Sequence, residues 1–127
     1  MVCIHNAKVV LERGILFDGA ILLDGDRIAA VGDRRELEIP ADAEMIDAEG
    51  AYVGPGFVDI HVHGGNGHMF DSEPLEAAEH FLKNGETTIL ATLYYNLSKE
   101  GFLDSIKKVQ AAMAAGGAGD AIAGIYM

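Results

Sequence analysis

Two periodicities share this chain, and they change over at Pro55-Gly56. Before that point the runs "CIHNAKVV", "ILFDGAILLDG", "RIAAVG" and "EMIDAEG" are short, rich in β-branched residues and broken by Gly and Asp. Residues 1–55 therefore read as all-β. Asp24-Gly25 reads as a hairpin turn, because glycine reaches positive φ without a Cβ penalty. After Pro55, apolar runs alternate with helical stretches. "FVDIHVH" predicts a strand at 57–63, "TTILATL" one at 87–93 and "AIAGIYM" one beginning at 121. "SEPLEAAEHFLKNG" predicts a helix near 73–84, with Ser72 as N-cap, Pro74 in the first turn and Asn84-Gly85 at the end. A second helix opens at Ser98 and runs over 99–115. Phe102, Leu103, Ile106, Val109, Ala112 and Met113 lie on it as one apolar stripe. Alternation of this kind implies a parallel sheet, here with three strands neighbouring in chain order. A closed barrel needs eight such units and roughly 250 residues. The 127 residues supply two and a half units, so the expectation is the front part of something larger, continuing past Met127.

Half of the residues are hydrophobic, enough to build a core. The formal net charge of −11 argues against nucleic acid or an anionic membrane surface as partner, since both call for a basic patch. The N-terminal stretch lacks a basic segment followed by an apolar core, and no apolar run approaches the roughly 18 residues of a membrane helix. The expected location is cytoplasmic. Cys3 is the one cysteine, so no internal disulfide forms. It reads as a small apolar filler, with a reactive thiol as the alternative.

Within the first strand of the second half, Asp59, His61 and His63 alternate with Val58, Ile60 and Val62. Side chains alternate faces along a strand, so the acid and both imidazoles share one face and the aliphatics turn the other way, towards helices. Placing an acid and two imidazoles in an interior is costly unless they are paired or ligated. A divalent metal removes the cost, because neutral imidazole is a good ligand. By spacing alone, hydrogen-bonded core histidines are the preferred reading and a metal site the alternative. The following glycines Gly64, Gly65 and Gly67 read either as a phosphate cradle built from backbone N–H groups or as a tight turn beside the site. His68 reads either as a substrate contact or as a solvent-facing loop residue. No Ser/His/Asp triad, Walker loop or zinc-ribbon cysteine pattern occurs.

"PGFVDIHVHG", arriving after "IDAEGAYVGPG", resembles the entry motif of the amidohydrolase superfamily. The resemblance implies an α/β protein: residues 1–55 as the N-terminal portion of a β-sandwich flap domain, then residues 56–127 as the start of a metal-dependent (β/α)8 TIM-type barrel, incomplete. It implies that His61 and His63 are metal ligands, with Asp59 at the motif's acidic position in a supporting or structural role. The implied ion is Zn2+, with Fe2+, Mn2+ or Co2+ as alternatives. "HGGNGHMFD", "NGETTILATL" and "AIAGIYM" further resemble the N-acetylglucosamine-6-phosphate deacetylase family. Gly85, Thr87 and Thr88 fit its second strand, while Ala91 stands where that family has Pro, followed by Thr92. This likeness implies hydrolysis of the acetamide of an amino-sugar phosphate to amine and acetate by a homodimer. It also implies a metal-binding Glu just past Met127 and a general-base Asp on a late strand, so the 127-residue chain alone is expected to be inactive. Gly64, Gly65 and His68 are the expected substrate loop. The competing expectations are a cyclic amidohydrolase of dihydroorotase or dihydropyrimidinase type, an adenine-deaminase type, and a short non-enzymatic binding module.

Overall fold

Alternating apolar runs in the first part become a sheet. Val2–Leu11 is β1, Gly14–Asp24 is β2, Arg27–Asp33 is β3, Glu44–Asp47 is β4 and Tyr52–Val53 is β5. The computed structural model describes residues 1–127, which divide into two units, Met1–Pro55 and Gly56–Met127. In the first unit β1 pairs antiparallel with β2, β2 pairs antiparallel with β3, and β4 and β5 both lie parallel to β1. The β2–β3 turn falls at the expected Asp24-Gly25, where Gly25 has φ 58°. One small cluster gathers Cys3, Ala20 and Leu22, and another gathers Ala7, Val9 and Ile21. Cys3 is fully buried and free, which matches the filler reading.

Polar side chains hold the irregular parts of this unit. Asn6 takes φ 53° where the register of β1 slips, and its amide donates to Asp47 Oδ1 at 2.8 Å. The Glu49 backbone N–H donates to the same oxygen at 2.8 Å, and these two bonds, the backbone one first, hold the Asp47 carboxyl below its ordinary value. Asp33, closing β3, accepts from Arg35 Nε at 2.9 Å, Arg35 Nη2 at 2.7 Å and the Arg35 backbone N–H at 2.9 Å. The guanidinium bonds are the main reason its pKa falls from 3.8 to about 2. A carboxylate whose folded value is depressed stabilises the fold above its unfolded value and loses that contribution as pH falls through the folded one. For Asp33 the window runs from 3.8 down to about 2. An NMR titration is expected to place the Asp33 midpoint near 2 and to return it towards 3.8 in Arg35→Ala. A wild-type midpoint already at the ordinary value refutes the clamp.

In the second unit Phe57–Val62 is β6, Gly64–Gly65 is β7, His68–Met69 is β8, Pro74–Lys83 is α1, Glu86–Thr92 is β9, Lys99–Ala115 is α2 and Ile122–Tyr126 is β10. β6, β9 and β10 form a parallel sheet with β9 in the middle, the order the alternation predicts. Both helices contribute to one core with the sheet: Phe70, Ala77, Ala78, Ile89, Ala91, Leu93, Val109, Ala112, Ala121 and Ile122. Ser98 caps α2, its hydroxyl accepting the Gly101 N–H at 3.1 Å.

Three local expectations are corrected. The N-cap of α1 is Glu73, not Ser72, and it makes no side-chain capping bond. The Ser72 hydroxyl turns back to the Met69 carbonyl and the Glu73 carboxylate turns to His68, while Pro74 opens the helix with no N–H to satisfy. Leu103 is 52% exposed: at 3.6 residues per turn it lies about 120° from Val109, off the buried stripe. Val58 and Ile60 are 64% and 65% exposed, because β6 is an outer strand and the helices pack on β9 and β10; only Val62 joins the core.

Candidate metal centre

The β6–β9 ladder does not run in even register. Asp59 stands opposite Ile89 and Val62 opposite Ala91, so β6 spends three steps where β9 spends two. The extra residue is a bulge, the device by which a strand bends and re-aims its side chains. Two side chains take up backbone donors there. Asp59 Oδ1 accepts the His61 N–H at 2.9 Å, and Thr92 Oγ1 accepts the Val62 N–H at 3.0 Å. Asp59 thus ties down the strand backbone rather than an imidazole.

His61 and His63 end up together at the C-terminal end of β6, with ring centroids 5.4 Å apart and planes at 85°. An ion about 2.0–2.1 Å from a ring nitrogen lies about 3.2 Å from that ring's centroid, so two imidazoles sharing a tetrahedral ion have centroids roughly 5 Å apart. The observed spacing fits. His63 Nδ1 lies 3.1 Å from the Thr92 carbonyl oxygen, which can only accept. Nδ1 therefore carries a proton, and in the neutral ring Nε2 keeps its lone pair, the tautomer a metal ligand needs. Two tyrosines from the neighbouring strand ends flank the pair: the Tyr94 ring centroid is 4.4 Å from that of His63, and the Tyr126 centroid is 5.0 Å from that of His61. Neither tyrosine, nor the bonding role of Thr92, was foreseen. The available signal was position, since all three sit at the C-terminal ends of β9 and β10, where a barrel gathers its site.

The glycine run forms a hairpin. β7 and β8 pair antiparallel, with Asn66 (φ 53°) and Gly67 (φ 87°) in the turn. A Cβ on Gly64 would stand 2.2 Å from the His68 carbonyl oxygen, so the residue after His63 has no room for a side chain. His68 sits on β8 and pairs with Glu73, Nδ1 to Oε2 at 3.0 Å. Phe70 returns the loop to the site, its N–H donating to the His63 carbonyl at 2.9 Å.

No group of three or more His, Cys, Asp or Glu side chains converges in the chain. The donor chemistry of His61 and His63 fits a divalent cation and provides half of a four-coordinate set. An apolar groove of about 250 Å³ in the first unit, lined by Val9, Leu11, Ile21, Ile28 and Val31, has Glu12 as its one charged residue and no imidazole. No helix is long and apolar enough to cross a membrane.

The chain superposes on the crystal structure of the N-acetyl-D-glucosamine-6-phosphate deacetylase from Mycobacterium smegmatis with a TM-score of 0.74 and 30% identity, covering 98% of this chain and 34% of that one. Curated relatives point the same way. An adenine deaminase of Listeria monocytogenes is 35% identical over 88 residues, 68% of this chain. A dihydroorotase of Staphylococcus epidermidis is 44% identical over 63 residues, 50% of this chain. A deacetylase of Agrobacterium fabrum is 57% identical over 44 residues, 34% of this chain. The chain belongs to the amidohydrolase superfamily. Its sheets and two helices form an incomplete TIM-barrel-like amidohydrolase fold. No family model matches the chain. The matched part of this amidohydrolase spans 14% of the length of the dihydroorotase and of the adenine deaminase.

Proposed function

We propose that this chain supplies two metal ligands, His61 and His63, to a metal-dependent hydrolase of C–N bonds whose substrate is an N-acetylated amino-sugar phosphate. The observation that carries the reading is the superposition on 98% of the chain with the Mycobacterium smegmatis deacetylase. The hydrolase lineage itself rests on all the relatives together. When bound, a divalent ion such as zinc polarises an amide carbonyl and lowers the pKa of water.

The chain's own residues set the terms for that chemistry. The Thr92 carbonyl holds His63 in one tautomer, Asp59 holds the His61 backbone, and Gly64 lets the chain turn away at once so that the imidazoles stay accessible. The hairpin of Gly64, Gly65 and His68 is the proposed substrate loop, and residues 1–55 the proposed portion of the flap domain. Further ligands, the general base and the phosphate-binding groups come from outside these 127 residues in this reading. The chain alone is therefore inactive, and the working enzyme is a cytoplasmic homodimer.

A second reading has its own support: the dihydroorotase match, at 44% identity over 63 residues, favours a cyclic amide as substrate. The two separate in one assay. The complete protein encoded at the source locus is incubated with N-acetylglucosamine 6-phosphate, dihydroorotate and adenine in turn, and acetate, ring-opened product and ammonia are measured. Acetate release from the first supports the proposal. Turnover of dihydroorotate or adenine alone replaces it with the corresponding alternative.

A further inference from the structure

We propose that Thr92 is the positioning residue of this site, setting both the place and the tautomer of His63. The inference rests on the reading that His61 and His63 hold a cation, and it says which residue makes His63 fit to do so.

Thr92 is 3% exposed, yet it is polar. Its hydroxyl accepts the Val62 N–H at 3.0 Å and donates to the Leu90 carbonyl at 3.2 Å. Its own carbonyl accepts from His63 Nδ1 at 3.1 Å. These contacts fall just past the slip in the β6–β9 register, where Val62 stands opposite Ala91 and its N–H goes to the Thr92 hydroxyl. One residue thus grips the backbone immediately before His63 and the ring of His63 itself. Valine has nearly the same shape and higher strand propensity, and a merely structural position at the end of β9 would accept it. Here it would leave the part-buried Val62 N–H without its side-chain partner and free the bulge to shift. The carbonyl of residue 92 remains in such a variant, but with Val62 no longer gripped the imidazole would move out of line with it and populate both tautomers. Loss of an orienting partner of this kind costs roughly 10–100-fold in metal affinity.

The test is nitrogen-15 NMR of the imidazoles in the metal-stripped full chain, at a pH where they are neutral, followed by a zinc titration. The wild type is expected to show His63 protonated at Nδ1 and bare at Nε2. Thr92→Val is expected to show a mixture of tautomers and at least about tenfold weaker zinc binding. Thr92→Ser, which keeps the hydroxyl, is expected to restore the wild-type spectrum. A His63 protonated at Nε2 in the wild type overturns the proposal. So does a Thr92→Val variant with an unchanged tautomer, whatever its stability. Should Thr92→Val fail to fold, Thr92→Ala, which also lacks the hydroxyl, takes its place: a mixture of tautomers supports the proposal and an unchanged tautomer overturns it. If the tautomer depends on Thr92 while zinc binds no better than to a His61→Asn, His63→Asn chain, the positioning role stands and only the metal reading falls.

Discussion

Replacing His61 and His63 together by Asn is expected to remove zinc binding from the chain and to cut hydrolysis by the complete enzyme by about three orders of magnitude or more. The two effects have one cause. The pair carries the only imidazoles that meet at the C-terminal end of β6, with centroids 5.4 Å apart, and Asn is a poor replacement for a nitrogen lone pair held in a fixed ring. A Lewis acid that contributes several kcal/mol to a transition state is worth about a factor of ten for each 1.4 kcal/mol. The chain by itself should bind zinc only weakly, with a dissociation constant no tighter than about 1 µM. It supplies two donors, whereas complete structural zinc sites reach about 10–16 kcal/mol with four. Isothermal titration of the wild-type and double-Asn chains checks the first part, and acetate release by the complete enzyme checks the second. Equal zinc binding by the two chains would remove His61 and His63 from the site.

Phe70→Ala is expected to cost about 3–5 kcal/mol, a large share of the roughly 5–15 kcal/mol that holds a small domain together. Phe70 is fully buried in the core between the sheet and the helices, and its ring stacks on Phe81 with centroids 6.0 Å apart and planes 13° from parallel. Truncation removes both that stack and the apolar contact that seats the hairpin under α1. The loss also reaches the site, because the Phe70 N–H bonds to the His63 carbonyl. Phe70→Leu keeps most of the buried volume and should lose markedly less. Urea unfolding of the three chains measures the difference. A Phe70→Ala loss below about 1 kcal/mol would mean that this core closes over the cavity, contrary to the usual behaviour of buried aromatics.

By itself the sequence determined what depends on near neighbours. The changeover at Pro55-Gly56, the three apolar strand runs, the Ser98 cap and the Asp24-Gly25 turn each follow from local periodicity or from the conformational preference of one or two residues. Parallel order followed from the alternation of strand and helix. The choice of His61 and His63 came from a motif resemblance, since by spacing alone two imidazoles on a strand read first as hydrogen-bonded core residues. Tertiary structure decided everything that depends on a partner far away in the chain. The register slip opposite Ile89 and Ala91 exists only when β6 meets β9, and strict alternation along β6 cannot announce it. The Thr92 grip on Val62 and His63 spans about 30 residues of sequence and arises from that slip. Tyr94 and Tyr126 reach the imidazoles only because the ends of β9 and β10 stand beside the end of β6. Val58 and Ile60 carry the alternation of a covered strand yet stay exposed, because burial depends on what packs against a face and not on the face's own pattern.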